Sequence, residues 1–322
     1  MPLFNRNKPA KPTDAELQAA EADLERIRQG GIPLGAEERL KRLSSVSKPF
    51  FTSDLSAKEY AVAEAGGLQP IAQVMGSSVV KHGWNRGQSL YYTVGELQAL
   101  SQPWNMVRER AFDRLLEEAT LAGADAVVGV KLDTNGVGDP GNVELVVFGT
   151  AVRDPTLPEK WRPSSPESRR PVALSTLNAQ DVDKLRRIGA EICGVVGHTT
   201  VQSVQLTYGS QWIMNAGTGF IGSRPSNMNA EIPEITQGVY QARRAVMRNI
   251  EAQARQLGAN QLVMSALNHS IEHYEYEYGG GKSDYFHVTM HVLGTAIRLG
   301  MREPHPAPLK TPMMSINLGD QS

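Results

Sequence analysis

The sequence predicts an α+β fold: two tandem units, each a small antiparallel sheet with a packed helix, preceded by N-terminal helices. Three observations carry this. The chain has 322 residues, and at roughly 150 residues per domain that length fits two domains with tails. It is also self-similar, which is settled first because a missed repeat misreads the whole fold. LSAKEYAVAEAGGLQPIAQVMGSSV, from Leu55, aligns with LNAQDVDKLRRIGAEICGVVGHTTV, from Leu177. Finally, both copies close on one strand pattern, VELVVFGTAVR to Arg153 and HVTMHVLGTAIR to Arg298.

The elements follow in order. Thr13 and Glu16 form a capping-box pattern at the start of TDAELQAAEADLERIRQ, which runs to Gly30-Gly31. A second helix, AEERLKRL, completes an N-terminal extension over 1–49. Both helices are amphipathic and highly charged, and are expected to pack on a domain or a neighbouring subunit. The first unit spans 50–155 and the second 172–300. Each opens on a short helix, with Ser56 and Glu59 in one and Asn178 and Asp181 in the other at its start. Gly67 and Gly189 sit where those helices end, since glycine takes the left-handed C′ conformation cheaply. A strand follows in each, then a variable insert. The long helices AFDRLLEEATLAG and VMRNIEAQARQLG carry apolar residues at helical spacing and stop at Gly123-Ala124 and Gly258-Ala259. An extended run, a hairpin turn and the closing strand end each unit. Residues 156–171 are dense in Pro, Ser and charge, and read as an exposed linker. Its Arg169-Arg170 pair is read as solvated rather than phosphate-binding. The tail, 301–322, is a Pro-rich arm followed by apolar MMSINL, which is expected to dock as an edge strand.

Composition excludes several classes. Apolar residues make up 40% and charged residues 21%, as in globular proteins with real cores. Thirty-three basic against 34 acidic residues leave a net charge of -1, so nucleic acid is not expected as a partner. The single cysteine, Cys193, excludes an intramolecular disulfide framework and Cys-rich zinc or iron–sulfur modules. No apolar run reaches the roughly 18 residues of a membrane span, and the N-terminus has no apolar stretch of signal-peptide type. A cytoplasmic location is expected.

These residues carry a resemblance. AGADAVVGV (122–130) after a long helix and VVFGTAVR (146–153) resemble the YbjQ-like domain, labelled heavy-metal-binding. The second copy carries LGANQLVMS and VLGTAIR, and departs at Leu262-Val263-Met264-Ser265, where the family reads VVGV. The resemblance covers about two-thirds of the chain. It implies a β-α-β-β subunit like that of dodecin, in two tandem copies, and ring-like homo-oligomers, typically pentamers. The heavy-metal label implies thiol or imidazole ligands, and the chain has no CxxC motif.

Four of the seven histidines fall in one predicted hairpin, SALNHSIEHYEYEY–GGG–KSDYFHVTMHVLG. A three-residue Gly279-Gly280-Gly281 turn would set His273 opposite His287 and His269 opposite His291. Side chains alternate with period two, so all four imidazoles would share the polar face in two cross-strand pairs. Imidazole suits Zn, Ni or Cu, and opposed side chains are close enough to chelate. The same pattern also describes a solvated or subunit-facing sheet surface, or a pH-sensitive interface. The first copy has no counterpart.

Other motifs carry less. Residues 217–222 match GxGxxG in form but lack a βαβ context and a suitably placed acid, so they read as an insert loop. Asp133 and Asp139 read as turn formers near Asn135-Gly136. Cys193 reads as a small core residue, and Trp84 and Trp212 as core or interface packing. No nucleophile, base and acid occur in a legible arrangement. The sequence thus predicts a non-enzymatic, ring-forming scaffold, with a metal- or small-ligand-binding protein using the His-rich hairpin as the alternative.

Overall fold

The structure is a computed structural model, and it describes residues 13–45, 52–81, 94–134, 142–159, 162–163, 165, 170–207, 209–211, 230–278 and 281–300. The tail, the GxGxxG segment, Asp139, Trp84 and Trp212 lie outside these residues.

The architecture is α+β, with N-terminal helices and two four-stranded sheets. Helices α1 (Asp14–Arg28) and α2 (Leu34–Ser45) come first. The first unit follows as α3 (Ala57–Ala65), β1 (Gln69–Lys81), β2 (Val94–Glu96), α4 (Gln98–Leu121), β3 (Ala126–Asp133) and β4 (Asn142–Arg153). After β5 (Ala173–Leu174), the second runs α5 (Ala179–Arg187), β6 (Glu191–Gln205), α6 (Pro233–Gln256), β7 (Gln261–Tyr278) and β8 (Gly281–Arg298). The capping boxes at Thr13 and Ser56 both form, and Asn178 accepts from the Asp181 amide. Gly67 and Gly189 end their helices at φ 78° and 75°, the left-handed region expected of them.

The halves run in similar order but do not separate cleanly. One sheet has the order β1-β4-β3-β5 and the other β2-β6-β8-β7. Strand β2, from the insert of the first half, pairs antiparallel with β6 of the second, Val94 opposite Val204. Strand β5, just past the linker, lies parallel to β3. The long helix of the first half also begins earlier than its apolar spacing predicts. Polar residues fill its first turns because they meet the other sheet rather than their own.

Val107, Ala111, Leu115 and Ala119 of α4 are buried against Val74, Leu145 and Val147 of the first sheet. Full burial of each such side chain contributes about 2 kcal/mol, Ala less. Contact is close at Gly76: a Cβ there would stand 2.0 Å from the Ala111 carbonyl oxygen. Val246 and Ile250 of α6 pack on Val204, Val288 and Val292 of the second sheet. A third cluster, with Ala63, Val128, Val152, Ala179 and Val182, joins the halves where α3 meets α5. The N-terminal helices pack on the first half, as one of the two expected arrangements has it, burying Ile32 and Leu40.

Candidate functional site

The distinguishing feature of the molecule is how its strand edges are finished. An edge strand presents unpaired N–H and C=O groups that invite another chain. The outer edge of β6 is closed by side-chain amides. Asn105 of α4 accepts from the Thr199 N–H and donates to the Thr199 carbonyl, both at 2.9 Å, in place of a neighbouring strand. One turn earlier, Ser101 Oγ accepts from the Val201 N–H, and the Leu97 N–H donates to the Val201 carbonyl. Gln253 of α6 repeats the device on Gly197, with bonds of 3.1 and 3.2 Å. Strand β2 covers residues 202–204.

The outer edge of β1 is closed in the same way. Arg39 of α2 donates to the Gln73 carbonyl, Glu118 accepts from the Met75 N–H, and Arg114 donates to the Ser77 carbonyl. Arg39 also pairs with Glu118 at 2.8 Å. Burial pushes the Glu118 carboxyl up, and the Met75 amide and Arg39 oppose that shift. A cleft of about 450 Å³ lies here, lined by Gly35, Arg39, Met75 and Phe148 among others. Its two charges are spent on each other and on the edge.

Helix α4 therefore faces both ways, and its second face makes a buried polar seam. Arg108 donates to Asn105 Oδ1 and to Thr199 Oγ1. Thr199 Oγ1 also meets His291 Nδ1 at 2.9 Å, and Trp104 stands edge-on to the His291 ring, 4.7 Å between centroids. Burial, with Arg108 adding like charge, pulls His291 down to about 4. His287, buried beside Tyr274, is likewise lowered by burial. Arg108, Asn105, Thr199, Trp104 and His291 are consumed in joining helix to sheet.

Strand β7 is different. Among the described residues it lies at the end of its sheet and pairs with β8 alone. Among the described residues, no side-chain hydrogen bond reaches its main chain between Val263 and His273. Residues 267–273 are exposed throughout, on both faces. Met264, Leu267 and Ile271 are 44%, 41% and 44% exposed. With the bulge between Met264 and Ala266 taken into account, these three share one face with His269 and His273.

The hairpin register corrects the predicted imidazole pairs. Tyr278 pairs with Gly281, so two residues separate the strands rather than three. His273 then lies opposite Phe286, His269 opposite Met290, His287 opposite Glu272 and His291 opposite Asn268. A one-residue slip moves a strand's side chains to the other face. His269 and His273 thus sit on the α6 side of the sheet, and His287 and His291 on the α4 side. His273 stacks on Phe286 and bonds Asp284 at 2.9 Å. Among the described residues, no group of three or more His, Cys, Asp or Glu is arranged to hold a metal ion. Cys193 is half-buried against the core of the second sheet, close to its predicted place.

Sequence reasoning missed Ser101, Asn105 and Gln253, which close the β6 edge, and Arg108, which bonds the Asn105 and Thr199 side chains. On α4 the signal was present: polar residues at helical spacing on the face away from Val107 and Ala111.

Comparison with known proteins places the chain. Residues 56–154 match the family described as "Putative heavy-metal-binding", the YbjQ group. An encapsulin nanocompartment protein of Mycobacterium tuberculosis is 31% identical over 264 residues, covering 80% of this chain and 89% of that protein. A UPF0145 protein of Methanococcus vannielii is 45% identical over 58 residues, 18% of this chain and 54% of its own length. One of Natronomonas pharaonis is 46% identical over 61 residues, 19% and 58%. The chain spans just over half the length of these short relatives. It belongs to the YbjQ/UPF0145 family. No described helix is long and apolar enough to cross a membrane.

Proposed function

We propose that this protein is a structural assembly component that associates with itself into a closed ring, five-fold by the resemblance to ring-forming relatives. The observation that carries this reading is β7: among the described residues, side chains close the edges of β1 and β6 and the longest edge is left open. An open edge that also bears Met264, Leu267 and Ile271 is an association surface rather than a ligand pocket. The two halves are read as diverged copies of one β-α-β-β unit of dodecin-subunit type, with β2 and α4 linking them. Similarity to an encapsulin nanocompartment protein along most of both chains supports a place in a larger protein assembly.

Sedimentation velocity tests the reading. The expected species has several times the 35.1 kDa chain mass, and Ile271→Lys, on an exposed position, shifts it towards monomer with the fold intact by circular dichroism. A wild-type monomer at all concentrations overturns the proposal.

A further inference from the structure

The strand pairing of the two halves matches position by position. In the first sheet Val128 lies opposite Thr150 and Lys131 opposite Phe148, with a bulge between. In the second, Val263 lies opposite Thr295 and Ala266 opposite Leu293, again with a bulge between. Strands β1 and β6 begin alike, Gln69 opposite Arg153 and Glu191 opposite Arg298. The N-caps align Ser56 with Asn178, and the left-handed glycines align Gly67 with Gly189. Ala57, Tyr60 and Ala61 of α3 therefore match Ala179, Val182 and Asp183 of α5.

Within the copy, the chain entering α5 adds to the outer edge of β3. Ser175 donates to the Val127 carbonyl and accepts from Val130, both at 2.9 Å, and Leu177 accepts from Gly129 at 2.8 Å. Helix α5 then buries Ala179 and Val182 with Val128, Val152 and Ala63 of α3. Gly66 of α3 stands so close that a Cβ there would lie 2.9 Å from the Asp183 carboxylate.

Helix α3 enters this contact through Ala63 and Gly66, and α5 through Ala179, Val182 and Asp183, which are not matching positions. A contact through different faces is head-to-tail, and it leaves one face of each kind uncovered. On α3, Ala57, Tyr60 and Ala61 are exposed with α1 and α2 in place, Tyr60 by 40%. On the second half, Ile188, which matches Gly66, is 60% exposed. Met264, which matches Gly129, is exposed on the open edge of β7. The sizes are complementary as well. Inside the copy a glycine meets Asp183; at the uncovered faces Ile188 stands in the glycine's place and Ala61 in the aspartate's. Tyr60 and Ile188 are both exposed in one copy, and α3 is already packed on α5, so a second copy has to bring the two faces together. The rest of the junction, α4 on the β6 edge, has no counterpart, because the matching edge of β1 is closed within the copy by Arg39, Glu118 and Arg114.

We infer that α3 and the segment entering it from Thr52 pack on α5 and the β7 edge of a second copy, repeating between copies the contact that β5 and α5 make with β3 and α3 within one. A repeated head-to-tail contact closes into a ring where the rotation allows. The inference rests on the reading above, of self-association and of the halves as copies of one unit, and names the contact that effects it.

Cross-linking of the full chain tests the contact, with Cys193→Ser as the background. Ala61→Cys and Ile188→Cys are made singly and together and treated with a short bis-maleimide. Expected are a ladder of covalent multimers from the double variant, a covalent dimer from the two single variants co-expressed, and chains of 35.1 kDa from either alone. Ile188→Glu should sediment as a single chain with its circular dichroism unchanged. A double variant that stops at covalent dimers shows a two-fold contact and overturns the head-to-tail one. A double variant that stays at the single-chain mass with both thiols joined places α3 on its own subunit and overturns the inference too. A wild-type oligomer whose double variant forms no links, and whose Ile188→Glu form keeps its mass, overturns this junction and leaves self-association standing. A wild-type monomer at all concentrations overturns both.

Discussion

Arg108 of α4 donates a hydrogen bond to Thr199 of β6, fastening a helix of the first half to the sheet of the second. Arg108 is only 6% exposed and makes no ion pair among the described residues. Burial pulls its pKa down to about 10, still well above neutrality, so a cation is held inside the seam. Its cost is offset by its bonds to Asn105 and Thr199 and by the packing of its aliphatic stem. Two substitutions separate these contributions. Arg108→Met keeps most of the volume and removes the charge, and should change stability by no more than about 1 kcal/mol. Arg108→Ala leaves a void, while Asn105 Oδ1 keeps the Thr199 amide and Thr199 Oγ1 keeps His291, and should cost about 3 kcal/mol. Urea denaturation reads both; equal losses would show that charge rather than packing dominates.

Asn105 tests the sealed edge directly. Replacement by Leu preserves bulk and removes both bonds to the Thr199 main chain, leaving a covered N–H and C=O without partners. Each such group costs roughly 1–3 kcal/mol, so Asn105→Leu should lose about 3 kcal/mol in total. Asn105→Asp keeps the acceptor for the Thr199 amide and sets a carboxylate beside Arg108, so it should lose less. The order of the two urea midpoints decides the matter: Asp below Leu would contradict the edge-sealing role.

The seam should also make stability depend on acid. His291 titrates near 4 in the folded protein against an ordinary 6.5, because it is buried and faces Arg108. Unfolding therefore takes up a proton between those values. Stability is fully present above about pH 6.5, falls as pH drops towards 4, and levels off below. The loss from this ring is up to about 3 kcal/mol. His287 and His198 are lowered as well, chiefly by burial, and act in the same direction. Thermal melts from pH 7.5 to 4.5 should show the decline, and His291→Gln should flatten it. An unchanged slope in that variant would remove His291 from the account.

Much of the fold was legible locally. Capping pairs at Thr13, Ser56 and Asn178 and the glycines at 67 and 189 mark helix ends through bonds to immediate neighbours, which sequence records. The face of β8 opposite its histidines, with Phe286, Val288, Met290 and Val292, does lie beneath a helix. The histidine face was not legible, because it depended on a turn length, and one residue in Gly279-Gly280-Gly281 decides which way β7 points. The seam was not legible either. Asn105 and Thr199 lie 94 residues apart, and nothing local announces that a helix of one half will finish the sheet of the other.

The N-terminal helices offer a last test. Arg114 of α4 donates to the carbonyls of Ile27, Gly31 and Ser77, so one guanidinium ties the end of α1, the turn after it and the edge of β1 to α4. Glu117 assists by accepting from the Ile32 N–H at 3.1 Å. Three carbonyls in different directions suit the five fixed donors of arginine, and a lysine ammonium cannot meet them from one position. Beyond this, Arg39 of α2 bonds the Gln73 carbonyl and Glu118, few residues of the hairpin are buried, Ile32 and Leu40 among them, and α1 itself buries none. Arg114→Leu should therefore release α1 and α2 while the two sheets stay folded. Amide exchange over residues 14–43 should quicken by at least tenfold, with exchange in β4 and β8 unchanged, and Arg114→Lys should fall between. If the helices stay protected in Arg114→Leu, Arg39 and the apolar packing at Ile32 and Leu40 hold them and Arg114 is dispensable.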